Sequence, residues 1–181
     1  ALRSMPNYTV FRPCDTRETA AGWLAGLLRT TSPTALILTR QNLPLLDGTG
    51  KEALKGAYIL RDCEGTPDVL LMASGSEVEL IYKAYDELAK KGIKARVISM
   101  PSFELFEEQS IEYKESVLPN AVRKRVVVEA ASSFGWHKYV GLDGATITID
   151  HFGESAPAGT LFKDFGFTVE KVVETALTLL S

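Results

Sequence analysis

The chain has 181 residues, 24% of them charged, and a formal net charge of -3, so it has room for one full domain and part of another and no basic field for binding nucleic acid by counterion release. Its two cysteines, Cys14 and Cys63, fit no Cys-x-x-Cys or metal-ligand spacing and read as free thiols of a reducing compartment. The longest apolar run, Val69 to Ala73, is far too short to cross a bilayer and the N-terminus has no basic-then-apolar signal, so the expectation is a cytoplasmic protein without a membrane partner.

The predicted elements begin with a strand at Val10 to Pro13, a helix from Thr16 to about Thr30 and a strand from Thr34 to Leu38. Asp15 should open the helix by accepting from the free N–H groups of the first turn, and Glu18 completes a capping-box pattern. Ala20, Trp23, Leu24, Leu27 and Leu28 recur at helical spacing and predict its buried stripe. Ala35-Leu36-Ile37-Leu38 is apolar without alternation, as in a strand covered on both faces. This stretch is too short to supply the neighbours such a strand needs, so the reading is a β-α-β remnant of a domain whose larger part lies upstream.

From Gln41 to about Gly56 the sequence lapses into Asn-Leu-Pro and Asp-Gly-Thr-Gly, the punctuation of a linker, which places a domain boundary there. Strands are predicted at Tyr58 to Arg61 and Val69 to Ala73. Next comes a helix capped by Ser76 with Glu79 in the capping-box position, buried through Val78, Ile81, Tyr82, Tyr85, Leu88 and Ala89, and ended by Gly92. The alternation continues with a strand at Ala95 to Met100, a helix near Gln109 to Leu118, a strand at Val126 to Ala130, a short helical piece around Trp136 to Val140 and a strand at Ala145 to Ile149. A helix opened by Ser155 with Pro157 in its first turn is closed by Gly166, and a last helix runs from Val169 to Leu180. The pattern is α/β: residues 1–56 are the remnant and linker, and residues 57–181 form a domain with a mainly parallel sheet covered by helices on both faces.

Ligands of open α/β sheets bind beyond the carboxyl ends of strands, which singles out four places. After Leu38 comes Thr39-Arg40-Gln41-Asn42, where a permanent guanidinium could hold a phosphate or carboxylate through two parallel bonds, or simply pair with a surface carboxylate. Ser74-Gly75-Ser76-Glu77 after Ala73 could receive an anion on free N–H groups but reads better as a capped helix start. The serines and histidine of Ala131 to His137 lack a G-x-S-x-G elbow, so Phe134 and Trp136 are expected to pack at a contact. Asp150, His151 and Glu154 match no zinc spacing and read as a capping turn with an exposed histidine. Gly48-Thr49-Gly50-Lys51 lacks the earlier glycine and the Ser or Thr of a phosphate loop.

The segments Phe11-Arg12-Pro13-Cys14-Asp15, Leu38 to Pro44 (LTRQNLP), Ala73 to Val78 (ASGSEV), Val97 to Pro101 (VISMP) and Phe152 to Pro157 (FGESAP) resemble the transketolase family, in order and at family spacing, over essentially the whole chain. The resemblance implies the end of a pyrimidine-binding domain followed by the C-terminal domain. It implies, for the parent protein, transfer of a two-carbon ketol unit from a ketose phosphate to an aldose phosphate in the pentose phosphate pathway, with thiamine diphosphate and a divalent cation (Mg or Ca), as a homodimer. In the family the diphosphate, the metal and the catalytic groups lie upstream, so no catalytic residue and no bound cofactor or metal is expected of this segment, which should be inactive alone. The one family site that maps here is Arg40, expected to contact the sugar phosphates, with Gln41 and Asn42 fixing its loop. Other thiamine diphosphate enzymes of the same plan (dihydroxyacetone synthase, deoxyxylulose phosphate synthase, the beta subunit of a ketoacid dehydrogenase) and a non-catalytic dimerisation or regulatory module are the alternatives. The Thr39 to Pro44 and FGESAP segments favour transketolase.

Overall fold

The computed structural model describes residues 1–181. Strands β1 (Thr9–Phe11) and β2 (Thr34–Leu36) pair in parallel, with Val10 opposite Ala35, and are joined by helix α1 (Thr16–Leu28). The helix starts where the sequence says it should: Asp15 is in extended conformation and its carboxylate accepts from Glu18 N at 2.9 Å. Glu18 does not close the box on Asp15. Its carboxylate takes Cys14 N instead, at 2.8 Å.

The stripe expected to be buried on α1 faces the other way. Ala20 is exposed, as are Trp23 (59%), Leu24 (45%), Leu27 (74%) and Leu28 (70%), while the buried face is Glu18, Ala21, Gly22 and Ala25. The reason is steric. A β carbon at Gly22 would sit 2.7 Å from the Phe11 ring, so only the small-residue face lets the helix approach β1 this closely.

The second sheet has five strands in the order β3 (Tyr58–Arg61), β5 (Ala95–Ser99), β4 (Val69–Ala73), β6 (Arg125–Val128), β7 (Ala145–Ile147). All pairings are parallel except β3 with β5. Central β4 is buried along its whole length, and its pleat divides it between two cores. Val69, Leu71 and Ala73 meet α2 (Val78–Lys90) and α7 (Val169–Leu180) through Ile81, Leu88, Val172 and Ala176. Leu70 and Met72 point to the opposite layer, which holds Phe106 of α3 (Phe103–Glu107), Val117 of α4 (Ile111–Val117) and Tyr139 of α5 (His137–Val140), with Trp136 beside them. Each such fully buried side chain contributes about 1.5–3 kcal/mol. Helix α6 (Ala158–Asp164) precedes α7, whose cap Thr168 accepts from Lys171 N at 3.1 Å. No helix is long and apolar enough to cross a membrane.

Several boundaries differ from expectation. Gln41 to Gly56 is not a slack linker: Leu46, Thr49 and Ala53 are buried, and Lys51–Lys55 forms a 3-10 turn packed on α1. Ser76 does not cap α2. It lies inside the 3-10 turn Gly75–Glu77, held there because Gly75 N donates to Arg12 O, and its hydroxyl donates to the Glu77 carboxylate. Nor does Ser155 open α6; the chain stays extended through Pro157 (ψ 138°), and the helix begins at Ala158 without a side-chain cap. Helix α3 has no counterpart among the predicted elements; Ser102 caps it. Strands β2, β6 and β7 each end two residues before the predicted bound, where the chain turns into a loop.

Gly56 links the two sheets with φ +82°, and any β carbon there would press into Phe106 N and Ser102 O, both backbone. Gly56→Ala should therefore cost at least about 3 kcal/mol, read as a lowered urea midpoint with an unchanged slope. Ordinary stability in this variant would mean the backbone can yield there.

Candidate functional site

The carboxyl ends of β1, β2, β4 and β6 converge on one seam between the sheets, and the sequence places charged residues there. Arg12 follows β1, Ser74 and Glu77 follow β4, and Glu129 follows β6. Each carboxylate is wholly buried and each is met by fixed donors. The Arg12 guanidinium donates to Ser74 O and to Glu77 Oε2, both at 2.5 Å, and stands 3.8 Å from Glu129 Oε1. Glu77 Oε2 also accepts from Ala130 N at 2.9 Å. Glu129 receives Arg3 through two parallel bonds of 2.5 and 2.7 Å, Ser74 Oγ at 2.5 Å and Trp136 Nε1 at 2.6 Å.

Burial alone would push Glu129 up, but the hydrogen bonds and charge of Arg3, the charge of Arg12 and the Ser74 bond hold it below the usual carboxylate range. Burial likewise works against the Arg12 charge, and Glu77 and Glu129 outweigh it, so the guanidinium is held above its ordinary value. The turn at Ser74 is thus occupied by a cation from β1 and is not a vacant anion site.

A third buried carboxylate crosses the seam on α1. Glu18 accepts from Tyr58 Oη at 2.7 Å, Ser99 Oγ at 2.6 Å and Cys14 N at 2.8 Å, with no cation among its partners. Burial dominates and pushes its carboxyl up against the opposing pull of Ser99, Tyr58 and Cys14. Burial and the Glu18 charge also push the Cys14 thiol and the Tyr58 phenol up.

Arg40 lies four residues beyond the end of β2 on an exposed loop. It borders a cleft of about 880 Å³ between Leu38 to Gln41 and a wall that includes Glu154, Pro157, Phe162 and Phe165. Gln41 N donates to Thr39 Oγ1 at 3.3 Å, so the loop is partly self-supported. Every other arginine has a partner. Arg3 and Arg12 hold the seam carboxylates, Arg29, Arg61, Arg96 and Arg123 pair with Glu108, Asp86, Asp62 and Asp143, and Arg17 and Arg125 donate to backbone carbonyls. Arg40 alone makes neither an ion pair nor a hydrogen bond.

The remaining two places are structural. Asp150 accepts from Ser132 Oγ at 2.9 Å and Ser133 N at 2.8 Å, tying the loops after β6 and β7 together. The exposed His151 stacks edge-on against Phe165 at 5.1 Å. His137 lies 3.2 Å from Ser133 Oγ, but Asp150 bonds that serine and not the imidazole, so no nucleophile-base-acid relay forms. Trp136 packs inside the C-terminal layer, with Phe103 edge-on at 4.7 Å, while Phe134 stays 59% exposed. Sequence reasoning missed the seam. Its one signal was a charged residue directly after each apolar run, Arg12 after Val10-Phe11 and Glu129 after Val126 to Val128.

Comparison with known proteins agrees with this architecture. Residues 56–168 match the family described as transketolase-like TK C-terminal domain, and residues 1–45 match the transketolase pyrimidine-binding domain. The chain belongs to the transketolase family. It is 50% identical over 183 residues to transketolase 1 of Escherichia coli K12, covering 99% of this chain and 28% of that protein. It is 52% identical over 178 residues to the transketolase of Streptococcus pyogenes serotype M6, covering 96% and 24%. A solved structure of transketolase from Leishmania mexicana superposes with a TM-score of 0.93 at 43% identity, over 99% of this chain and 26% of that one. The chain therefore spans about a quarter of the length of the relatives it matches.

The raised Glu18 carboxyl makes a sign-specific prediction. Its acid form is favoured in the folded chain, so its contribution is complete below the ordinary carboxylate range and is lost as pH rises through the raised value. Glu18→Gln keeps the shape without the charge. Its urea midpoint should gain on that of the unmodified chain as pH rises from about 4 to 8; a difference that does not change with pH would show that the carboxyl titrates normally.

Proposed function

We propose that this chain is the C-terminal part of a transketolase, a cytoplasmic homodimer that moves a two-carbon ketol unit from a ketose phosphate to an aldose phosphate. Residues 1–56 close the pyrimidine-binding domain and residues 57–181 are the C-terminal domain, a division supported by the separate family matches at 1–45 and 56–168. Arg40 binds the phosphate of the sugar. The observation that carries this reading is that Arg40 is the one arginine left without a partner, beyond the carboxyl end of β2 and beside an open cleft. Pichia stipitis transketolase, 42% identical with a TM-score of 0.92, has been solved with sedoheptulose-7-phosphate, which supports the substrate class.

Transketolases use thiamine diphosphate with a divalent cation, and the residues present do not fit that group. The buried glutamates are saturated by internal donors, the seam arginines are saturated by carboxylates, and no cluster of His, Cys, Asp or Glu could hold a metal. The contribution of this chain is thus substrate recognition and support. A bidentate, charge-assisted contact is worth about 1.5–3 kcal/mol, or roughly ten- to a hundredfold in affinity.

In the complete protein, Arg40→Ala should raise KM for a phosphorylated ketose by about ten- to a hundredfold and leave KM for hydroxypyruvate, which has no phosphate, unchanged. Equal losses with both donors would make Arg40 a structural residue. Absence of ketol transfer by the unmodified protein would remove the activity itself.

A further inference from the structure

The loop that carries Arg40 is suspended from a very short stretch of β1 and the turn after it. At one end, Ile37 N donates to Phe11 O at 2.8 Å. At the other, the Asp15 carboxylate takes Thr49 Oγ1 at 2.6 Å and Leu46 N at 3.3 Å. Between these anchors, no backbone hydrogen bond of Leu38 to Leu45 reaches another element. The two ends of the Arg40 loop are therefore placed by where residues Phe11 to Asp15 are held.

Arg12 holds them. Its N–H donates to Pro101 O at 2.8 Å, after β5, and its carbonyl accepts from Gly75 N at 3.0 Å, after β4. Its guanidinium is locked by Ser74 O, Glu77 and, more distantly, Glu129. The fit is tight: a β carbon at Gly75 would stand 2.5 Å from Arg12 Cζ. One residue thus fastens the root of the Arg40 loop to three loops of the C-terminal sheet.

We infer that Arg12 is a positioning residue for substrate: by fixing the Phe11 to Asp15 root on the C-terminal sheet, it sets the place of the Arg40 guanidinium and lets that sheet govern affinity for phosphorylated sugars. This rests on the reading of Arg40 as the phosphate contact. It gives the C-terminal domain a part in recognition without placing any of its side chains on substrate.

The test is made in the complete, cofactor-loaded protein. Arg12→Met combined with Glu77→Gln removes both charges of the closest pair, so that Glu77 is not left opposite a missing cation while Glu129, 3.8 Å from Arg12, keeps its two bonds from Arg3. Arg12→Lys serves as the milder variant that keeps a positive charge there. The paired substitution should raise KM for a phosphorylated ketose by roughly three- to tenfold, with kcat and hydroxypyruvate kinetics within about twofold of normal, and Arg12→Lys should recover part of the loss. In an Arg40→Ala background, neither Arg12 variant should add a further loss, because the group being positioned is gone. If Arg40→Ala raises KM but the Arg12 variants leave it unchanged, impair both donors equally, or multiply with Arg40→Ala, the positioning role is overturned while the phosphate reading stands. If Arg40→Ala itself leaves the phosphorylated donor untouched, the phosphate reading falls and takes this inference with it.

Discussion

A carboxylate shut away from water must be given back the hydration it has lost, and the seam between the two sheets is organised by that demand. Glu77 and Glu129 sit at 0% exposure after neighbouring strands of the large sheet, and the cations that meet them, Arg12 and Arg3, come from the N-terminal segment. Removing either side of such a pair leaves an uncompensated buried charge, typically at a cost of about 3–5 kcal/mol. The small sheet is therefore joined to the large one by charge balance as well as by apolar contact. If the segment moved away without water entering, both glutamates would be left as unpaired buried charges.

Glu18 meets the same demand with different chemistry. It reaches across from α1 to Tyr58 on β3 and Ser99 on β5, hydroxyls that can turn to donate or accept as its protonation changes. The guanidinium pairs fix a permanent charge in a permanent geometry, whereas this cluster can accommodate a neutral carboxyl. The two fastenings lie on either side of the Phe11 to Asp15 turn, so that short turn is held from both ends while the loop it supports, with Arg40, stays open to solvent.

Much of this was legible in the sequence because burial and periodicity speak for themselves. The continuous apolar run of Val69 to Ala73 announced a strand, the Asp15 cap was placed by local hydrogen-bonding chemistry, and the last helix was readable from Val169 to Leu180. What failed depended on tertiary contacts. The large residues of α1 suggested a buried stripe, yet the packing against Phe11 is decided by Gly22 and Ala25, whose lack of bulk carries no periodic signal. Ser76 looked like a cap until the backbone of Arg12, 64 positions away in sequence, pulled the turn into another form. Arg40 could be named from its motif, but that its side chain alone among the arginines lacks both an ion pair and a hydrogen bond follows only from knowing where the carboxylates and backbone carbonyls lie.

Cys14 sits inside this fastening. Its thiol is buried, and both its surroundings and the adjacent Glu18 disfavour the thiolate that alkylating and oxidising reagents attack, whereas Cys63 is partly open to solvent. While the sheets stay joined, burial shields the Cys14 thiol from such reagents, and only parting of the seam would expose it. The protein therefore carries its own clock for the rate at which the two sheets part, readable as the slow incorporation of a second label after Cys63 has reacted.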